Sequence, residues 1–301
     1  MKSGIAIVSG HSLKFLSCPA LFMTFFLLGQ STLLGASGSQ PPTGDFVYVE
    51  GGSFNMGAEI GGGDSDEMPA HPVSVASFYL SKFEVTQQLW VSVMGGNPSY
   101  FKGPNRPMEN VSWYDCVSFC NKYSMKLGLE PCYRLVENGK DSGTNPDSWP
   151  MRWNRGTSEN IIYDSTAKGF RLPTEVEWEY AAKGGKLHSG YTYSGSNEMS
   201  SVGWFLDNSD GQTHDVGQKQ ANGLGIFDMS GNVREWCWDW HKRYPGNTDD
   251  SPHYVTSLRV LRGGSWNDEV YLARVPFRSC FRPSNQDNYF GLRLAVSEGG
   301  R

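Results

Sequence analysis

Thiols, a serine within reach of several histidines, and a mixed apolar and polar run near the C-terminus are the groups in this 301-residue chain whose types could do chemistry. With Cys18 set aside, Cys116, Cys120, Cys132, Cys237 and Cys280 remain. An odd number leaves at least one thiol unpaired unless chains are bridged. Cys116 and Cys120 stand four apart, on one helix face, which disfavours a bridge inside a regular helix and favours free thiols packed as small apolar groups. Ser265 with His253 or His214 supplies the residue types of a nucleophile and its base, but their spacing builds no triad. The C-terminal run offers recognition instead. Asp268, Val270, Tyr271, Leu272, Pro276, Phe277, Ser279, Cys280, Phe281, Asp287, Tyr289 and Phe290 follow neither the helical nor the strand period, with Arg274, Arg278 and Arg282 set among them. Aromatic and apolar side chains displayed on a rigid fold give large contact area at small entropic cost, as in antibody paratopes. If that display holds, replacing Tyr271, Phe277 and Phe281 together by Ser leaves the melting temperature nearly unchanged.

Local signals place the elements that must position these residues. Phe46 to Val49 and Ser53 to Gly57 are short apolar runs around Gly51-Gly52 and read as a hairpin. Thr86 is an N-cap, and Asn97-Pro98-Ser99 ends the helix that it starts. Ser112-Trp113-Tyr114-Asp115 opens a second helix, with Trp113, Cys116, Val117 and Cys120 at helical spacing and Gly128 as its stop. Thr174 caps a third, with Glu177 placed to complete a capping box and Gly184-Gly185 ending it. Glu130 to Gly169 reads as irregular, anchored by Trp149 and Trp153. Trp236, Trp238 and Trp240 alternate as strand residues sharing one buried face, where core packing needs no ligand. The class is α+β with much irregular backbone.

Composition narrows the function. Gly at 36, Trp at 10 and aromatics at 13 %, against 19 % charged residues, describe a loop-rich fold with an aromatic core. A formal charge of -5 and the lack of any Lys/Arg run make nucleic acid an unexpected partner. The apolar run from Ala20 to Leu34, preceded by Lys2 and Lys14 and followed by small residues, is short for a membrane span and reads as a secretory signal. Residues 1–37 are therefore expected to be removed by cleavage near Ala36 to Gly38, leaving 38–301 as one exported domain, secreted or at the cell surface. Cys18 follows Phe15-Leu16-Ser17, a weak likeness to a lipidation site, but the apolar run lies after this cysteine rather than before it. Membrane association is expected only through such an anchor.

Several segments in order resemble the formylglycine-generating-enzyme family: Gly51 to Gly57, Glu84-Val85-Thr86, Val111-Ser112-Trp113 and Phe170 to Glu175. They continue through Asn222 to Met229, Gly231 to Trp236, Arg259 to Trp266 and Gly291-Leu292-Arg293. The resemblance spans about Asp45 to Ala295 and implies a variant of the C-type lectin fold. It also implies a calcium site at Asp228, Glu235 and the carbonyls of Gly231 and Val233, hard oxygen ligands on a tight loop. Hydrogen bonding of loop backbone by the two carboxylates is the equal alternative, so calcium is a possible rather than a required cofactor. The family's oxidases bind copper through two cysteines shortly after the Gly-Gly-Ser motif, thiolates being what Cu(I) prefers. Here those places carry Asp268 and Leu272 or neighbours, and Cys280 is the sole downstream thiol.

Most positions in the C-terminal run carry residues reachable from an Asn codon whose first two bases are randomised, although Glu269 and Gln286 require other codons. The run resembles the variable region of proteins diversified by retroelements, several of which use this lectin-like fold. The expected function is then ligand binding by residues 268–290, with a protein or other cell-surface partner favoured over sugar. The alternative is an oxygen-using family enzyme with an altered active site.

Overall fold

The computed structural model describes residues 45–59, 61–149, 160–248 and 257–298. The expected signal segment 1–37, Cys18, Trp153 and His253 lie outside the described residues. Everything described belongs to the compact unit Gly38–Arg301. No helix among the described residues is long and apolar enough to cross a membrane.

Both ends of the described chain meet in one sheet. Strand β1 (Phe46–Val49) pairs antiparallel with β4 (Phe78–Ser81), and β4 pairs on its other side with β12 (Ala295–Ser297). The hairpin expected from Phe46 to Gly57 is corrected here, because β2 (Gly52–Met56) pairs with β3 (His71–Val75) and not with β1. Gly51 is the passage between two sheets: a Cβ there would lie 2.6 Å from the Val75 carbonyl oxygen. Only glycine lets the backbones approach so closely.

The three helix starts form as the caps dictate. Helix α1 (Gln87–Met94) is capped by Thr86, whose hydroxyl accepts from the Leu89 amide. Helices α2 (Trp113–Lys126) and α3 (Glu175–Ala182) each carry a complete capping box, Ser112 with Asp115 and Thr174 with Glu177. The stretch 130–169, expected to be irregular, contains β5 (Tyr133–Glu137), β6 (Lys140–Gly143) and β7 (Ile161–Tyr163) in one small sheet. Among its described residues the turn residues mark connections between short strands.

A four-stranded sheet carries the C-terminal segment. Its order is β10 (Arg278–Phe281), β9 (Arg259–Arg262), β8 (Arg234–Trp240) and β11 (Phe290–Gly291), antiparallel except for the β8–β11 pair. Trp236 is fully buried, whereas Trp238 and Trp240 are half-buried around the Arg259 guanidinium. The aromatic core read from composition is therefore real, with Trp113, Tyr133 and Trp238 packed ring on ring.

Candidate functional site

Buried arginines peg the C-terminal segment to the scaffold. Gly264, at φ 69°, turns the chain so closely under the following residues that a Cβ would stand 2.7 Å from the Leu272 carbonyl oxygen. A short 3-10 turn over Val270–Ala273 follows. Arg274 then reaches Glu67 with two bonds of 2.8 and 3.0 Å. Arg278 holds Glu175 at 2.6 and 2.8 Å and donates to the carbonyls of Asp66 and Lys242. Bidentate pairs of this kind fix orientation as well as position. Arg282 is exposed.

Around these pegs the twelve candidate contact residues separate. Val270 and Tyr271 are exposed at 40 % and 43 % on the 3-10 turn. Leu272, Pro276, Ser279, Cys280, Phe281, Asp287 and Tyr289 are half-buried. Along β10 the side chains alternate: Arg278 and Cys280 turn toward Glu175, whereas Ser279 and Phe281 turn toward Arg234 and Phe290. Three residues depart from the expected display. Phe290 is 1 % exposed and packs edge-on against Trp236, so it is a core residue and not a contact residue. Phe277 is buried, and Asp268 is buried in an ion pair with Arg234. The expectation that a triple Ser substitution spares the melting temperature is corrected accordingly: Phe281 also packs on the core, its ring 4.7 Å from Phe290, and only Tyr271 of the three stands free of it.

Residues not singled out from the sequence complete the face. Tyr100, 70 % exposed, stands edge-on to Phe101, which stands edge-on to Trp266, at centroid distances of 4.9 and 5.1 Å. Trp266 in turn donates to the Asn288 carbonyl at 3.0 Å, and the Asn110 amide donates to the Asp287 carbonyl at 2.8 Å. A fixed loop thus borders the C-terminal segment. The Asn97-Pro98-Ser99 stop followed by Tyr100-Phe101 was the available signal. Glu109 supports this loop from beneath, accepting from the Phe101 amide at 2.8 Å while its other oxygen is buried without a partner. Burial raises its pKa from the ordinary 4.5 to about 7. Because the folded value is the higher one, the stability that this residue contributes is present below pH 4.5 and is lost as pH rises to 7, by about 3 kcal/mol. Glu109→Gln should reduce the slope in urea unfolding measured at pH 4.5 and 7.5, leaving the part due to groups such as Asp228; an unchanged slope means that Glu109 titrates normally.

The two carboxylates of the implied calcium set are held differently. Glu235 accepts from Arg293 Nε and Nη2, both at 2.6 Å, and from Trp178 Nε1 at 2.7 Å. A guanidinium thus supplies the positive charge where calcium would need open oxygens. Asp228 accepts the Gly217 amide at 2.7 Å, its other oxygen is buried without a partner, and burial raises its pKa to about 6. Glu84, which had no role assigned, holds Asn232 Nδ2 at 2.7 Å and the Val233 amide at 3.1 Å, clamping the same Gly231-to-Val233 loop. Adding about 5 mM calcium should therefore leave the melting temperature unchanged; a rise of several degrees, as a well-saturated site produces, would restore the ion to Asp228.

The five described thiols are all free, four of them buried. Burial raises the Cys280 thiol to about 11, which keeps it protonated near neutrality. Of the places that the resemblance assigns to copper-binding thiols, Asp268 and Leu272 or neighbours, Asp268 is bound to Arg234.

Comparison with known proteins places this geometry. Residues 31–298 match the sulfatase-modifying factor enzyme 1-like domain. The chain is 36 % identical to chaperone protein LppX of Paenibacillus barcinonensis over 92 % of its own length and 98 % of the relative's. It is 28 % identical to the formylglycine-generating enzyme of Streptomyces coelicolor, covering 83 % of this chain and 88 % of that one. Among solved structures, Treponema denticola variable protein 1 superposes with a TM-score of 0.74 at 37 % identity, covering 84 % of this chain and 94 % of that one. The chain is thus similar both to an enzyme and to a variable protein, on the formylglycine-generating-enzyme form of the C-type lectin-like fold. It belongs to the sulfatase-modifying factor enzyme 1-like family.

Proposed function

We propose that this chain is an exported binding protein that presents residues 268–290 on a fixed scaffold to a protein partner, in solution outside the cell or at its surface. The observation that carries this reading is the division of labour inside the segment. Arg274 and Arg278 are buried pegs, whereas Val270 and Tyr271 stand exposed and Ser279, Phe281 and Tyr289 half-exposed. Pegs whose counter-ions, Glu67 and Glu175, lie outside the segment allow its exposed positions to vary while the fold holds. The similarity to Treponema denticola variable protein 1 supports the same reading. Diversification by a retroelement accounts for the aperiodic composition of the run.

The test is the nucleotide sequence of the gene's 3′ end and its flanks. A near-identical template repeat that differs at adenines, with the differences falling in codons 268–290 but sparing those of Arg274 and Arg278, is the expected result. A flank without such a repeat removes diversification from the account. An oxidase is disfavoured because the two copper-binding thiols are replaced and Cys280 stands alone. The 36 % identity to a chaperone favours a second reading, a helper that holds another protein while it folds. The two part on the state of the partner: a binder takes a folded surface, whereas a chaperone suppresses aggregation of an unfolded chain.

A further inference from the structure

Five of the buried arginines share one arrangement and a sixth reverses it, while Arg259 packs among Trp113, Trp238 and Trp240. Arg171, Arg262, Arg274, Arg278 and Arg293 pair with Glu177, Glu179, Glu67, Glu175 and Glu235, and every one of those carboxylates lies outside residues 268–290. Arg234 reverses the arrangement. It belongs to the scaffold strand β8, and its counter-ion, Asp268, belongs to the recognition segment. The guanidinium binds Asp268 through Nε at 2.8 Å and Nη2 at 2.5 Å, and donates from Nη1 to the Ser279 hydroxyl at 2.8 Å. The Phe277 and Tyr289 rings flank it at 5.8 and 5.6 Å. These four partners of the guanidinium are residues of the recognition segment, and Asp268 Oδ2 also accepts from the scaffold Ser265 hydroxyl at 2.8 Å.

We infer that Arg234 is a built-in carboxylate anchor of the recognition face and that Asp268 is the plug that closes it in this chain. The inference rests on the binding reading above and names its specificity determinant. A planar guanidinium whose backbone is fixed in a sheet, and whose side chain is held by a hydroxyl and two rings, is already shaped for bidentate recognition of a carboxylate. While Asp268 fills that place, an acidic group on a partner meets an occupied cation and the repulsion of a second carboxylate. This chain therefore disfavours a partner that brings a carboxylate to the nearly buried Arg234–Asp268 pair. A neutral residue at position 268 turns the same face toward acidic partners.

The experiment uses the full chain without any partner and acetate as the probe, with chloride at equal ionic strength as the reference. Arg234 Nε–H is followed by NMR in the wild type, Asp268→Ala, Asp268→Asn and Asp268→Ala/Arg234→Met. The expected result is saturable acetate binding in Asp268→Ala, about tenfold or more tighter than in the wild type. Asp268→Asn, which keeps the shape and one acceptor, should fall between, and the double variant should not bind. Equal response of wild type and Asp268→Ala, or no saturable binding in a folded Asp268→Ala, overturns the inference. So does unfolding of both single variants, since a plug must be replaceable. Because no partner takes part, failure here leaves the binding function standing, and a missing template repeat leaves this result untouched.

Discussion

Replacing Arg293 by Met lowers the stability by about 3 to 5 kcal/mol, the range found when one member of a buried ion pair is removed. Arg293 is fully buried, is bidentate to Glu235, and also donates to the carbonyls of Ser81 and Phe227 at 3.0 and 2.9 Å. Without it the Glu235 carboxylate is left in the core close to Glu84 and Asp228, whose charges already oppose one another's ionisation. Urea unfolding at pH 7 measures the loss, and pairing the change with Glu235→Gln should recover part of it, because the stranded charge is then gone. A loss under about 1 kcal/mol would mean that another cation neutralises Glu235, and would reopen the calcium question.

Phe290→Ala and Tyr271→Ala should differ by several kcal/mol although both belong to the same aperiodic run. Phe290 is 1 % exposed, wedged among Trp236, Phe281 and Tyr289, and truncation leaves a cavity costing about 3 to 5 kcal/mol. Tyr271 is 43 % exposed and would lose only a 2.9 Å bond to Asp64 and its stack on Arg274, for about 1 kcal/mol or less. Partner binding should respond in the opposite order of directness: Tyr271→Ala weakens it in a protein that is still fully folded. Equal melting temperatures for the two variants would mean that the segment is packed otherwise than described.

The same comparison explains which parts of the site were legible from the residues. Arg274 and Arg278 stood out as interruptions of the run, but their role as pegs depends on Glu67 and Glu175, which lie 207 and 103 positions away. Arg234 carried no local signal, since its neighbours Asp268, Ser279, Phe277 and Tyr289 come together only through the sheet. Glu235 and Asp228 stand beside the Gly231-to-Val233 loop in sequence, but it is Glu84 that clamps that loop. The partner of Glu235 was not legible, because Arg293 arrives from 58 positions further along the chain.

By itself the sequence determined what short-range chemistry decides. Thr86, Ser112 and Thr174 each start a helix because a side chain meets an amide three residues on. The abundance of glycine and tryptophan sets a loop-rich fold with an aromatic core, and the ordered family motifs carry the lectin-like fold. Tertiary structure alone decided pairing and exposure. It sent β1 to β4 and β2 to β3 across Gly51, drew strands from the stretch 130–169, and divided one aperiodic run into pegs, core and face. Strand partners and counter-ions are chosen by distant residues, and a side chain's own type and immediate neighbours do not say which way it will turn.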